Sequence, residues 1–162
     1  MASFAQVEPL GLSMKNQPDI IDRIWNWWCR SDGLFVVDND LKPILPGLQI
    51  AVDLKDNGVP PFLFCGPDST TAQIFGRHFA LNSAGSAGVP DSTYEDEVNA
   101  SYKMVSYDSV PRLDFIVAEA RSSRYDHFHF EYPRLIVPGR LRDGRRLLIA
   151  AACFTSPPVL LS

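Results

Sequence analysis

Hydrophobic positions along this chain follow two different periods. From Asp19 to Arg30 they recur as a helix requires. At 100° per residue, Ile20, Ile21, Ile24, Trp25, Trp27 and Trp28 fall within an arc of about 160°, and polar residues fill the rest. Pro18 suits the first turn of this helix, and Ser31-Asp32-Gly33 ends it. Leu48 to Leu54 reads as a strand followed by a turn at Asp56-Asn57-Gly58, and Phe62-Leu63-Phe64-Cys65 as the returning strand, apolar enough to be buried on both faces. Asp68 or Ser69 caps a short helix that runs to about Phe75 and stops at Gly76. A stretch rich in Gly, Ala, Ser and Pro between Asn82 and Ser92 predicts a loop, and Tyr94 to Tyr107 a helix striped by Val98, Tyr102 and Val105.

The last third switches to a period of two. Leu113, Phe115 and Val117 alternate with other residues, and His127 to Tyr132 places Phe128, Phe130 and Tyr132 on one face. Pro133 and Pro138 predict an edge or a bulge late in that strand. Arg142-Asp143-Gly144 predicts a hairpin, and Leu147 to Phe154 the closing strand, with small side chains at Ala150, Ala151 and Ala152. Two strands, a helical crossover and a three-strand meander give an α+β fold: one five-stranded antiparallel sheet with helices on one face. The predicted organisation is a mobile leader over 1–17, an amphipathic N-terminal helix over 18–33 and a single domain over 34–162. The helix's tryptophans must be covered, either by its own domain or by a second chain.

At 162 residues and 46% apolar content the chain can build one core without staples. Three widely spaced cysteines suit a reducing compartment, and neither a signal peptide nor a membrane span is legible, so a cytoplasmic location is expected. The net charge of −4 argues against nucleic acid as the main partner. The charge is uneven, at −7 over residues 1–110 and +3 over 111–162, with Arg140, Arg142, Arg145 and Arg146 around the predicted hairpin. They make either a docking patch for an acidic partner or a solvated turn.

Several fragments, in order, carry a resemblance: Ile24-Trp25-Asn26-Trp27-Trp28 on the first helix, Leu45-Pro46-Gly47-Leu48 leading into a strand, Phe62-Leu63-Phe64-Cys65-Gly66 running into a helix that ends Phe75-Gly76-Arg77, and Tyr132-Pro133-Arg134-Leu135-Ile136-Val137-Pro138 followed by Asp143-Gly144-Arg145. From Pro18 to Phe154 the chain resembles a PAS domain, of the small free-standing bacterial PAS-like kind. It departs from that family in the second strand, where Pro61 to Cys65 lacks the usual arginines. The resemblance implies a sensory or regulatory domain that binds a small ligand or a protein partner and relays a signal without catalysis.

A pocket between the crossover helices and the sheet is expected to be lined by Phe64, Phe75, Tyr102, Phe115 and Phe130, with His78 the one imidazole placed to ligate a haem. The photosensor motif Asn-Cys-Arg-Phe is not met, because Cys29-Arg30 is followed by Ser31. Cys65 could carry a thioester chromophore, but a buried inert thiol is the plainer reading. No cofactor is identified. The partner surfaces expected are Trp25 and Trp28, which would also serve a homodimer through the first helix, and Arg142 and Arg145; the signalling partner itself is not legible.

Other functions remain open: a dimerisation module with a solid core, or a small enzyme on a cone-shaped α+β scaffold using Asp114 or Glu119 with Tyr102 or Tyr107 and His78. His127, His129 and Glu131 share a strand face and could hold a transition metal. Strand alternation alone also puts them on the solvent side, and that is the expectation.

Overall fold

A computed structural model of the chain describes residues 4–11, 16–55, 60–85, 92–121 and 127–161. The predicted turn at Asp56-Asn57-Gly58, most of the loop between Asn82 and Ser92, and residues 12–15 of the predicted leader lie outside the described residues. The elements are β1 (Phe4–Leu10), α1 (Asp19–Ser31), a 3-10 turn (Leu45–Gly47), β2 (Leu48–Val52), β3 (Phe62–Cys65), α2 (Thr70–Phe75), α3 (Arg77–Leu81), α4 (Ser92–Asp108), β4 (Arg112–Ala120), β5 (Phe128–Arg140), β6 (Arg146–Ala152) and β7 (Val159–Leu160). All strands join one open antiparallel sheet in the order β1-β4-β5-β6-β2-β3, with β7 paired to the start of β5.

The fold is α+β as expected, but the sheet has seven strands rather than five. The leader predicted over 1–17 contains β1, which pairs with β4 from Phe4↔Glu119 to Leu10↔Leu113. Its alternation is short: Ala5 and Val7 pack on the aromatic core while Gln6 and Glu8 take the other face, and Pro9 sits where only an edge strand tolerates it. The amphipathic helix is therefore the second element rather than the first.

Helices lie on both faces of the sheet, not on one. Strand alternation shows this directly. Leu135 and Val137 of β5 and Leu147, Ile149 and Ala151 of β6 pack with Ile21, Ile24 and Trp27 of α1. The intervening Tyr132, Ile136, Leu148 and Ala150 point the other way, toward α2 and α4. The reason is the apolar arc of α1, which closes on its own domain: Ile21, Ile24 and Trp27 are at most 1% exposed. Each such burial removes enough apolar surface for about 1.5–3 kcal/mol.

The chain leaves α1 through Gly33, whose φ of +78° and contact with the Pro138 carbonyl oxygen admit no side chain. Residues 33–35 then run beside the end of β5, where Arg140 donates to the Gly33 carbonyl and accepts from Phe35 N–H.

Two further expectations are corrected. β3, predicted to be buried on both faces, is the outer strand beyond β2, and Leu63 is exposed. Pro133 and Pro138 do not mark an edge, because β5 is the longest, central strand. Pro133 lies one residue before β6 joins at Arg134, and Pro138 lies two residues after β4 has ended at Ile136. Each proline sits where β5 has a strand neighbour on one side only, so no ladder bond is lost. At Pro138 the free side is taken by Trp28, whose Nε1 donates to the Pro138 carbonyl at 2.8 Å.

Candidate functional site

α4 crosses the sheet face opposite α1, and α2 packs beside it, closed at its start by the Ser69 hydroxyl, which accepts from Ala72 N–H at 3.2 Å. Between these helices and the sheet lies a cavity of about 30 Å³, lined by Gln49, Ala51, Pro60, Phe62, Thr70, Thr71, Tyr94, Glu95, Val98, Asn99, Tyr102, Tyr132 and Arg134. Its floor comes from β2 and β5, on either side of β6. Arg134 of β5 stands opposite Ala152 of β6, and Gln49 of β2 opposite Ala150 of β6.

Arg134 is 3% exposed and Asp114 is fully buried. They face each other across β4 and β5. Arg134 Nη2 lies 3.5 Å from Asp114 Oδ2 and donates to the Val98 carbonyl of α4 at 3.1 Å. Arg112 Nε donates to the other oxygen of Asp114 at 2.9 Å. The Arg134 guanidinium also sits over the Tyr102 ring, 5.0 Å from its centroid, as a cation–π pair. Burial pulls its pKa down, but Tyr102, Tyr132 and Asp114 around it win, and the guanidinium is held above its ordinary value.

The aromatic wall carries polar groups too. Tyr94 and Tyr132 hydrogen-bond through their hydroxyls, and Tyr102 donates to Gln49 Oε1 at 3.4 Å. Burial pushes all three phenols above the ordinary tyrosine range, so each stays neutral and can donate. On α4, Glu95 Oε1 accepts from Asn99 Nδ2 at 2.7 Å. Among the described residues three buried polar side-chain atoms have no hydrogen-bond partner: Gln49 Nε2, Arg134 Nε and His127 Nε2. The first two line this cavity.

Of the expected pocket residues only Tyr102 lines the cavity. Phe75 and Phe130 are buried just behind it, each ring against Tyr94 at centroid separations of 6.1 and 5.5 Å. Phe64 packs on the α1 side of the sheet. Phe115 shares the face of Leu113, opposite the cavity, and His78 is exposed on α3. The acid, tyrosine and histidine set of the enzyme reading does not assemble: Asp114 is held between arginines, Glu119 is on the other face, and Tyr107 is 91% exposed.

Cys65 is buried, its thiol pushed up by burial and placed 3.4 Å from the Ser69 hydroxyl. A group held as thiol is a poor nucleophile. His129 and Glu131 take the face away from the cavity, and the acid that meets the imidazoles is Glu119, 3.5 Å from His127 and 4.0 Å from His129. Among the described residues no group of three His, Cys, Asp or Glu is arranged to hold a metal ion.

Of the expected partner residues, Trp25 and Trp28 stack at 5.7 Å and remain half-buried on the flank of α1. The arginine cluster is partly drawn inward. Arg146 reaches the buried Asp53 at 3.3 Å and the Ser109 hydroxyl at 2.6 Å, and Arg140 binds the Asp32 carbonyl. Arg142 and Arg145 stay exposed, Arg145 paired with Asp143 at 2.9 Å.

Arg134 and Gln49 were the residues that sequence reasoning missed. Extending the alternation Phe128, Phe130, Tyr132 by one step puts Arg134 on the buried face, and that step was the available signal. Compared with known proteins, the chain matches no family model, no curated protein and no solved structure. No helix among the described residues is long and apolar enough to cross a membrane.

Proposed function

We propose that this chain is a PAS-like regulatory domain that binds a small molecule between α4 and the sheet and passes its occupancy to a protein partner, without catalysis. One observation carries the reading: a buried arginine and a glutamine each hold an unfilled donor at a cavity between α4 and the sheet. A buried ion group contributes little net stability compared with a well-packed apolar core, so stability alone does not account for it. Strand order also supports the PAS-like part. β2 and β3, the early pair, attach to the end of the late meander, so that β6 lies between β5 and β2.

The route outward runs through β5 and β6, which contribute alternate residues to the cavity side and to the seat of α1. The Trp25–Trp28 flank of α1 is the surface proposed for the partner.

Native mass spectrometry with an absorption spectrum of freshly purified protein tests the reading. A small mass above that of the chain, released on denaturation, is expected. A bare mass, no chromophore and no thermal stabilisation by any member of a small-metabolite panel would overturn it.

A further inference from the structure

The unfilled atoms at the cavity floor are both donors, and the residues around them specify what can fill them. Arg134 Nε–H and Gln49 Nε2 have no hydrogen-bond partner, whereas Asn99 Nδ2 and the Tyr102 hydroxyl already donate, to Glu95 Oε1 and Gln49 Oε1. A ligand must therefore bring acceptors to the floor. Charge narrows the choice. Arg112 and Arg134 share the single carboxylate of Asp114, which leaves one positive charge in excess at the sheet side. An anionic oxygen balances that excess where water cannot.

Glu95, on the α4 wall of the same cavity, brings the charges of the site as a whole to zero, so a single negative charge is the most the sheet side takes. The volume of about 30 Å³ limits the occupant to a handful of heavy atoms, so it is short. We infer that the cavity takes a small monocarboxylate, its oxygens accepting from Arg134 Nε and Gln49 Nε2 and its short apolar body lying over Ala51 against Tyr102 and Tyr132. This rests on the ligand-binding reading above and adds the ligand's class to it.

The test uses the full chain, labelled with 15N, and follows the arginine Nε–H and glutamine side-chain amide resonances during titration with acetate, propionate, acetamide and propanol. Saturable shifts of the Arg134 and Gln49 signals by the two acids, and not by the neutral isosteres, are expected. Gln49→Glu keeps the acceptor for Tyr102 but replaces the donor by a negative oxygen, and should weaken propionate at least about tenfold. Arg134→Lys keeps the charge without the Nε donor and should do the same if it folds; Gln49→Glu, at the less buried position, decides the matter if it does not.

Equal shifts by propanol or acetamide would overturn the carboxylate class while leaving a ligand-binding domain standing. Acid-induced shifts confined to exposed arginines would overturn the site. No shift from any probe, together with a bare mass on purification, would remove both readings.

Discussion

Beneath α1 the strands β5 and β6 present Leu135, Val137, Leu147 and Ile149 to Ile21, Ile24 and Trp27. Beneath α4 the same two strands present Tyr132, Arg134, Ile136 and Ala150, and the helix answers with Tyr94, Glu95, Val98, Asn99 and Tyr102. One side interlocks hydrocarbon; the other encloses a paired arginine, neutral phenols and unfilled donors. The difference teaches where stability and where specificity reside. An apolar face gains from every methylene it buries, whereas a buried ion group contributes little net stability.

The largest expected effect tests the dry side. Trp27→Ala should cost about 3–5 kcal/mol in chemical denaturation, while Trp25→Ala and Trp28→Ala, half-buried on the flank, should each cost only about 1–2 kcal/mol. Equal losses at all three would erase the contrast between buried stripe and flank.

On the wet side, Asp114→Asn leaves two guanidiniums without their counter-charge and should cost about 3 kcal/mol. Replacing the pair together, Asp114→Leu with Arg134→Met, should recover most of that loss and abolish ligand binding. If the double variant were as unstable as the single one, the ion group would be structural.

A smaller effect is expected at the phenol pair. Tyr132→Phe removes one partner of the Tyr94 hydroxyl and should cost about 1–2 kcal/mol. It should also change the alkaline limit of the fold. Burial raises the folded pKa values of Tyr94, Tyr102 and Tyr132 above those of the unfolded chain. Their contribution is intact below about pH 10, the unfolded value, and is lost as pH climbs beyond it, because only the unfolded chain can release the protons. Phenolate absorbance should rise for these three together with loss of structure, and Tyr132→Phe should flatten the decline. Phenolate signals from all three ahead of unfolding would contradict a closed aromatic wall.

The smallest effect belongs to the hairpin. The carboxyl of Asp143 is held below its usual range chiefly by the backbone N–H of Arg145. That contact is solvent-exposed, and Asp143→Asn should leave the denaturation midpoint unchanged.

Sequence periodicity carried most of the fold. α1 and α4, the pair β2 and β3, and the meander β4 to β6 all stand close to where their patterns place them. What it missed has physical reasons. β1 places only Ala5 and Val7 on the aromatic core and carries Pro9 near its end, too little for a periodic signal. β7 is two residues long and exists only because β5 offers an edge. α3 is cut from α2 by Gly76, at a φ of +98°. That helices cover both faces was implicit in three isoleucines and three tryptophans on one arc, but composition alone does not say which surface receives them.

The cavity was half legible. Tyr102 could be read, while apolar side chains were assumed for the rest. A buried arginine is recognised only when strand parity is followed through a residue type that usually ends it.

Parity along β5 has one more consequence. Arg134 and Leu135 are joined by a single peptide unit yet belong to opposite sides of a layer one backbone thick. A displacement of the β5 backbone at Arg134 would tilt that peptide, and the tilt would reach the seat of Ile24 and Trp27 without crossing a loop or a hinge. Such a coupling is stiff and short-ranged. It would move a helix by fractions of its diameter rather than release it, and it would act as fast as the strand can flex.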